Sequence, residues 1–195
     1  MSAANEQIYR AALKLFGERG ATQVNVTELA QAAGVARGTI YNNLGDLTGL
    51  FDHVAVELAA EMRARVTPVL AALEEPVLRL ATGIRLHVLS ATDAPEVGRF
   101  LVRFGLSAGA LREIWTGQPL ADLRAGRDRG FYNFPEGQLH SVVNFISGAA
   151  IGAMATALER PDRAAEAAME AAELVLVALG VPRARARQSA RVPLS

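Results

Sequence analysis

Cysteine is absent from this 195-residue sequence, and aromatic residues make up only 6% of it. The absence of cysteine excludes disulfides, thiolate zinc sites and cysteine nucleophiles. Clusters of β-branched residues are also few, whereas alanine and leucine dominate, so the composition favours helices over strands. We therefore predict an all-α protein, and its 51% hydrophobic content is sufficient for a packed core.

Long apolar runs are missing as well. No run of about 18 uninterrupted apolar residues, the length that spans a membrane, occurs in the sequence. The N-terminal segment MSAANEQIYR is charged where a secretion signal needs an apolar stretch. We expect a cytoplasmic protein without a membrane partner.

Signatures of catalysis and of cofactor binding are also lacking. The sequence contains no G-x-S-x-G motif, Walker loop or dinucleotide fingerprint. His53 and Glu57 have a helical spacing that can bind zinc, but no third ligand lies nearby, so a surface pair is the better interpretation. We expect a protein that is not an enzyme and has no cofactor or metal site.

An excess of charge of either sign is absent, because 20 basic residues balance 20 acidic ones. Residues 1–50 have no net charge, residues 51–182 carry −4, and the segment from 183 carries +4. Any nucleic-acid contact must therefore use locally placed groups rather than a strong overall field. The arginines of the tail could touch phosphates, but such charges are more often only solvated.

Helical periodicity starts near the N-terminus. An apolar stripe predicts a first helix that ends at Gly20; it consists of Ile8, Ala11, Ala12, Leu15 and Phe16. Asn25 and Glu28 have the spacing of a capping box, which predicts a second helix over about 26–33 that buries Leu29 and Ala33.

A third short helix is predicted over about 36–43, directly after a turn at Gly34. Two short helices joined by so tight a turn must cross steeply, which leaves the later helix with a solvent face. Ile40 would point inward, and the polar residues on the solvent face are Arg37, Thr39, Asn42 and Asn43.

The remaining sequence predicts a helical body. Asp46 is placed to cap a long helix to about residue 72, with a kink at Pro68, and Pro76 and Pro95 begin two further helices. An interrupted helix over about 107–126, an aromatic loop and two long apolar helices at about 136–158 and 162–180 follow. We predict a head at 1–46, a body at 47–182 whose connecting helix is 47–72, and a basic disordered tail at 183–195.

Apolar residues cover most of the circumference of the predicted helix 136–158, which is more than one free face of a helix requires. They could form a ligand wall or a contact with a second subunit, and the close glycine spacing favours a homodimer. The residues expected at this interface are Phe145, Gly148, Gly152, Val175, Leu176 and Leu179.

The stretch AGVARGTIY at 33–41, followed by Leu44-Gly45 and Leu50-Phe51, makes the first fifty residues resemble the TetR family of bacterial transcriptional regulators. The resemblance implies a helix-turn-helix whose third helix lies in the major groove of double-stranded DNA. It implies base or phosphate contacts from the residues at matching positions, which are Arg37, Gly38, Thr39, Tyr41 and Asn42. Thr27 at the start of the second helix and Asn43 on the solvent face of the third are further candidates. Tyr41 could instead pack against the first helix, and Thr27 could be only a polar helix start.

The sequence departs from the family pattern at three positions. Ala36 replaces the serine usual at the start of the third helix, and Leu44 replaces a common phenylalanine. Leu47 stands where many members have a phosphate-binding lysine. Two anchors on the DNA backbone are therefore missing, so specific base recognition is a safer expectation than tight binding.

The resemblance also implies a small-molecule site among the body helices. Aromatic residues with isolated polar groups suit a small, largely apolar ligand, although the same residues could simply form the core. The candidates are Met62, His87, Phe100, Phe104, Trp115, Phe131, Tyr132 and Asn144. We therefore expect a ligand-responsive repressor that binds a palindromic operator as a dimer. The alternative is a helical carrier or enzyme whose head has lost operator binding.

Overall fold

Helices account for most of the residues that the structure, a computed structural model, describes, namely 2–194, and none of these lies in a β-strand. Met1 and Ser195, the ends of the predicted head and tail, lie outside this range. The all-α prediction is confirmed. The helices are α1 Ala3–Arg19, α2 Val26–Ala33, α3 Arg37–Leu44, α4 Leu50–Ala71, α5 Pro76–Asp93, α6 Pro95–Phe104, α7 Gly109–Thr116, α8 Gln118–Asp128, α9 Leu139–Glu159, α10 Ala164–Ala178 and α11 Arg183–Ala190.

The head consists of α1, α2 and α3. Asn25 Oδ1 accepts a hydrogen bond from Glu28 N at 2.9 Å, as the capping pattern predicts. Gly34 ends α2 with φ of 68°, a conformation that residues with a Cβ rarely adopt, and the chain turns there into α3. Leu29 is buried as predicted, but Ala33 is only half-buried. Ile40 is 1% exposed and anchors α3 to the other two helices.

The connecting helix α4 begins later than predicted. Asp46 does not cap it: Asp46 Oδ1 accepts from Thr48 N at 2.7 Å within a turn, and Gly49 occupies the cap position of a helix that starts at Leu50. Pro68 lies inside α4, which continues to Ala71. The Asp46 carboxylate accepts a backbone N–H as a cap would, but the N–H belongs to Thr48, two residues on, and not to the first turn of α4.

The body is built around α5, which packs against α6, α8, α9, α10 and α11. Pro76 occupies the first turn of α5, and both carboxylate oxygens of Glu75 accept hydrogen bonds from backbone N–H groups of that turn. The predicted helix starts at Pro76 and Pro95 are confirmed. The helix predicted over 107–126 is divided into α7 and α8 at Gly117.

The prediction of a disordered tail is wrong, because residues 183–190 form α11. Ala186 and Ala190 lie four residues apart and are fully buried on one face of this helix. Arg185 pairs with Glu75 at 2.7 Å, and Arg85 Nη1 donates to the Val192 carbonyl at 2.5 Å. The sequence pattern did not predict this helix, because its buried face consists only of small residues between exposed arginines.

Candidate nucleic-acid interface and body cavity

The outward face of α3 carries the polar residues predicted there. Arg37, Asn42 and Asn43 are exposed, and Thr39 is half-exposed. Ile40 is the single buried residue of the helix, and Leu44 packs partly against the core, so the remaining side chains of α3 are exposed or half-exposed. The structure therefore brings the predicted α3 residues together on one surface.

Tyr41 does not pack into the head, because 55% of its surface is exposed. Thr27, in the first turn of α2, is also exposed. Gly38 has no heavy atom within 4 Å of the position that a Cβ would take, so another molecule could approach the backbone there. Asn43 Nδ2 donates to the Thr39 carbonyl at 2.7 Å, which occupies part of its hydrogen-bonding capacity.

Four of the eight charged side chains of the head form ion pairs. Arg19 binds Glu28 at 2.7 Å, and this contact lowers the pKa of the Glu28 carboxyl. Arg10 binds Glu6 and Glu61. Arg37 has no acidic partner among residues 2–194, so its guanidinium is available to an anionic or hydrogen-bonding ligand.

The start of α3 offers further donors. Ala36 occupies the cap position, and no side chain caps the helix. The first N–H groups of a helix lack partners within the helix and favour anions. Together with Arg37 and Tyr41, this end of α3 has the chemistry to contact a phosphate backbone.

A cavity of about 350 Å³ lies in the body between α4, α5, α7 and α8. It brings together three of the eight predicted ligand residues: His87, Trp115 and Tyr132. Most of its wall is apolar, with Val66, Leu70, Leu80, Ile84, Ile114 and Leu123 among the lining side chains. A volume of this size accommodates a small organic molecule.

The three aromatic residues in the wall have different hydrogen-bonding states. His87 Nδ1 lies 2.7 Å from the Gly83 carbonyl oxygen, and burial lowers the pKa of the imidazole. Tyr132 donates its hydroxyl to the Pro76 carbonyl at 2.8 Å, and burial raises the pKa of this phenol. Trp115 is buried against His87 with ring centroids 5.0 Å apart, and its Nε1 has no hydrogen-bond partner among residues 2–194.

Ion pairs in the cavity wall were missed by the sequence analysis. Arg79 binds Asp122 at 2.7 Å and also donates to the Leu70 and Leu73 carbonyls. Arg63 and Glu113 approach to 3.5 Å. The partners lie tens of residues apart in the sequence, so no local spacing pattern could have indicated them.

Phe100 and Phe104, which were predicted as ligand contacts, lie instead in the joint between head and body. With Phe16 and Phe51 they form a cluster whose neighbouring ring centroids are 4.9 to 6.3 Å apart. Arg103 Nε donates across the same joint to the Gly17 carbonyl at 2.8 Å. A Cβ on Gly17 would lie 3.0 Å from the Phe100 nitrogen, which shows how closely α1 approaches α6.

The remaining predicted ligand residues also lie away from this cavity. Met62 is buried beside a second, smaller cavity between α4 and α5. Phe131 is half-buried near the guanidinium groups of Arg129 and Arg185. Asn144 is exposed on α9. Aromatic or polar residue type did not distinguish these positions from the cavity wall.

The outer faces of α9 and α10 only partly match the predicted subunit interface. Phe145 is 49% exposed, and Gly148 and Gly152 face open space. The placement of Val175, Leu176 and Leu179 at the interface is wrong for this chain's own fold, because all three are buried in the core. Their helical neighbour Leu174 is 64% exposed and occupies the outward position.

The segment Glu136–Glu159, which includes α9, is long and apolar enough to cross a membrane by composition alone. Only 33% of its most apolar window is buried within the chain. The helix packs against α5, α6 and α10, so part of its apolar surface is covered by the chain itself and the rest stays exposed. An apolar contact with another protein surface satisfies such a face.

Two protein-family models match the chain. The model of bacterial regulatory proteins of the tetR family matches residues 8–54. The model of a tetracyclin repressor-like C-terminal domain matches residues 75–191. The first covers the head and the start of α4, and the second covers nearly all of the body after α4.

Similar proteins are transcriptional regulators. The HTH-type transcriptional regulator AcrR of Shigella flexneri is 32% identical over 104 residues, which cover 50% of this chain and 45% of that regulator. A crystal structure of RolR with its ligand resorcinol is similar over 98% of this chain and 95% of that one, with 25% identity and a TM-score of 0.72. The fatty acid degradation regulator FadR of Bacillus halodurans is similar in fold, with 18% identity and a TM-score of 0.74 over 93% of this chain and 99% of that one.

Proposed function

The chain belongs to the tetR family of bacterial regulatory proteins, and we propose that this transcriptional regulator is a cytoplasmic repressor that binds a palindromic operator as a dimer and is released by a small molecule. Its head is a helix-turn-helix DNA-binding domain and its body a ligand-binding domain of the family. Family and fold are those of regulators rather than enzymes.

The exposed polar face of α3 is the observation that carries this proposal. Arg37 can donate to guanine O6 and N7, and the Asn42 amide can bond to adenine N6 and N7. Thr39, Tyr41 and Thr27 supply hydroxyls for phosphates or base edges. Because Arg37 has no acidic partner among the described residues, no ion pair within the chain competes with DNA for it.

Dimerisation is supported by the apolar surface on α9 and α10. Phe145 and Leu174 are large apolar side chains that the chain itself leaves exposed. Gly148 and Gly152 lie on the same side of α9 as Phe145 and permit close approach of a second helix. We propose that this surface meets its copy across a two-fold axis and spaces the two heads for successive half-sites.

The subunit interface is tested by replacing Leu174 with glutamate. A buried carboxylate without a partner opposes association, so the variant should sediment as a monomer at concentrations where the unchanged protein is a dimer. Glu170→Gln, a polar change one turn away on α10, is the control. Dimers of unchanged affinity in the Leu174→Glu variant would contradict this interface.

Release by a ligand is supported by the position of α4. Its C-terminal half contributes Arg63, Val66 and Leu70 to the cavity, and its N-terminal half packs Phe51 against Phe16 of the head. The similar regulator RolR has been crystallised with resorcinol, which supports a small molecule as the effector. The ligand must bind more tightly to the arrangement of heads that does not fit the operator.

Operator binding is tested with a palindromic duplex selected from a random library by the unchanged protein. The affinity of the protein for this duplex should fall with rising salt concentration, and it should exceed the affinity for a scrambled duplex. The double variant Thr39→Ala, Asn42→Ala should lose this preference with unchanged helix content, whereas Thr22→Ala, an exposed change outside α3, should retain it. Failure of an intact dimer to bind any duplex at low salt would favour the carrier or enzyme alternative.

A further inference from the structure

The tautomer of His87 is determined by its surroundings. Nδ1 lies 2.7 Å from the Gly83 carbonyl oxygen, which can only accept, so Nδ1 carries the proton. Burial lowers the pKa of the imidazole, so the ring is neutral near pH 7. Its lone pair is therefore on Nε2, which has no hydrogen-bond partner among residues 2–194. The cavity wall thus contains one hydrogen-bond acceptor that the protein leaves unused.

Trp115 supplies a matching donor beside this acceptor. Its Nε1–H is buried without a partner in the described part of the chain, which costs free energy unless a ligand accepts from it. The indole and imidazole centroids are 5.0 Å apart, and both rings line the cavity.

Formal charges in the cavity wall are balanced. Arg79 is paired with Asp122, and Arg63 with Glu113. His87 is neutral, and the other lining residues are uncharged. An ionised ligand would therefore enter a largely apolar cavity without a free counter-charge, at a desolvation cost that nothing in the wall repays.

We propose that this cavity binds a neutral, largely apolar molecule with a hydroxyl group, which donates to His87 Nε2 and accepts from Trp115 Nε1–H. This inference rests on the proposed effector role of the cavity. A hydroxyl is a neutral group that can both donate and accept at one oxygen. An ether can only accept, so it leaves His87 unpaired, and a carboxylate adds a charge facing the imidazole lone pair.

Three probes that share a para-propylphenyl group separate these chemistries: para-propylphenol, para-propylanisole and para-propylbenzoate. Binding to the full chain without DNA is measured by calorimetry. Quenching of Trp115, the single tryptophan of the sequence, reports occupancy of this cavity. We expect the phenol to bind about tenfold more tightly than the anisole, the loss expected for one neutral hydrogen bond, and the benzoate to bind more weakly than either. Equal binding of phenol and anisole, tighter binding of the benzoate, or no phenol binding would overturn the inference.

Two variants assign the two hydrogen bonds. His87→Phe should reduce the affinity for the phenol to that for the anisole, whereas Trp115→Phe should weaken both probes by a similar factor of about three to ten. His140→Phe, the same change at an exposed position, is the control, and circular dichroism confirms folding. A phenol preference that survives in folded His87→Phe overturns the role of His87.

The result of the probe-binding experiment can be told apart from the result of the operator-binding experiment that tests the proposed function. A chain that binds its operator but shows no phenol preference would refute the hydroxyl inference and leave the regulator intact. A chain that shows the preference but binds no duplex would refute the regulator and leave the ligand class intact.

Discussion

In the head, the polar side chains of Arg37 and Asn42 on α3 reach solvent, whereas in the body His87, Trp115 and Tyr132 are buried around a cavity. The head leaves Arg37 without an acidic partner among the described residues, but the body pairs Arg79 with Asp122. An exposed donor set suits a large, hydrated, charged partner. A buried wall with balanced charge suits a small, uncharged one. The two regions therefore use polar side chains in opposite ways, exposed to solvent in the head and buried around a cavity in the body.

The two regions meet at the phenylalanine cluster, so we expect the largest effect from a substitution that disrupts this joint. Phe100→Ala should lower the free energy of unfolding by about 3–5 kcal/mol, because Phe100 is fully buried among three other rings. Urea denaturation followed by circular dichroism measures this loss. Phe131→Ala, at a half-buried position, should cost clearly less. Equal losses would show that the cluster has no special role in the joint.

The exposed donors of the head are tested at Arg37. Arg37→Ala should weaken operator binding by about 1–3 kcal/mol, the range for a good base contact, without changing the free energy of unfolding measurably. Fluorescence anisotropy with the selected palindrome gives the affinity. Arg187→Ala, an exposed arginine of α11, is the matched control and should change binding little. A larger effect at Arg187 would transfer the DNA contact from the head to the C-terminal helix.

The buried donors of the body are tested by pH. In the folded chain, burial lowers the pKa of His87 below 6.5, the ordinary value for histidine. The unfolded chain therefore binds the proton more tightly. The free energy of unfolding should therefore fall as the pH drops below 6.5 towards the folded value, by up to about 1.4 kcal/mol for each pH unit within this window. His87→Phe should reduce this slope. Identical slopes in both proteins would contradict a neutral, buried imidazole.

The open N-terminus of α3 gives the smallest expected effect. Ala36→Ser should add about 0.5–1 kcal/mol to the free energy of unfolding, because the serine oxygen can accept from the Gly38 N–H in the first turn of α3. Thermal unfolding measures the gain. Ala21→Ser, an exposed change between α1 and α2, should give none. No difference between the two variants would show that the helix start needs no cap.

Most predictions based on neighbouring residues succeeded in both regions, although the cap predicted at Asp46 did not. The bounds of α2, the end of α1 at Gly20 and the starts at Pro76 and Pro95 agree with the structure. These signals depend on a proline ring, a left-handed glycine or a capping side chain within one turn. Predictions that required packing failed more often. Val175 and Leu179 were assigned outward although Leu174 takes that position, and Phe100 was assigned to a ligand although it joins head and body.

The sequence by itself determined the helical class, the main helix starts and ends, and the set of polar residues on α3, because each follows from side chains within a few positions of one another. Only the tertiary structure decided that the basic tail packs as α11, that Arg79 meets Asp122, and that three of the eight candidate ligand residues line the cavity. These features depend on contacts between residues tens of positions apart. Residue type alone cannot distinguish an apolar side chain in the core from one in a cavity wall, because the hydrophobic effect favours an interior position for both.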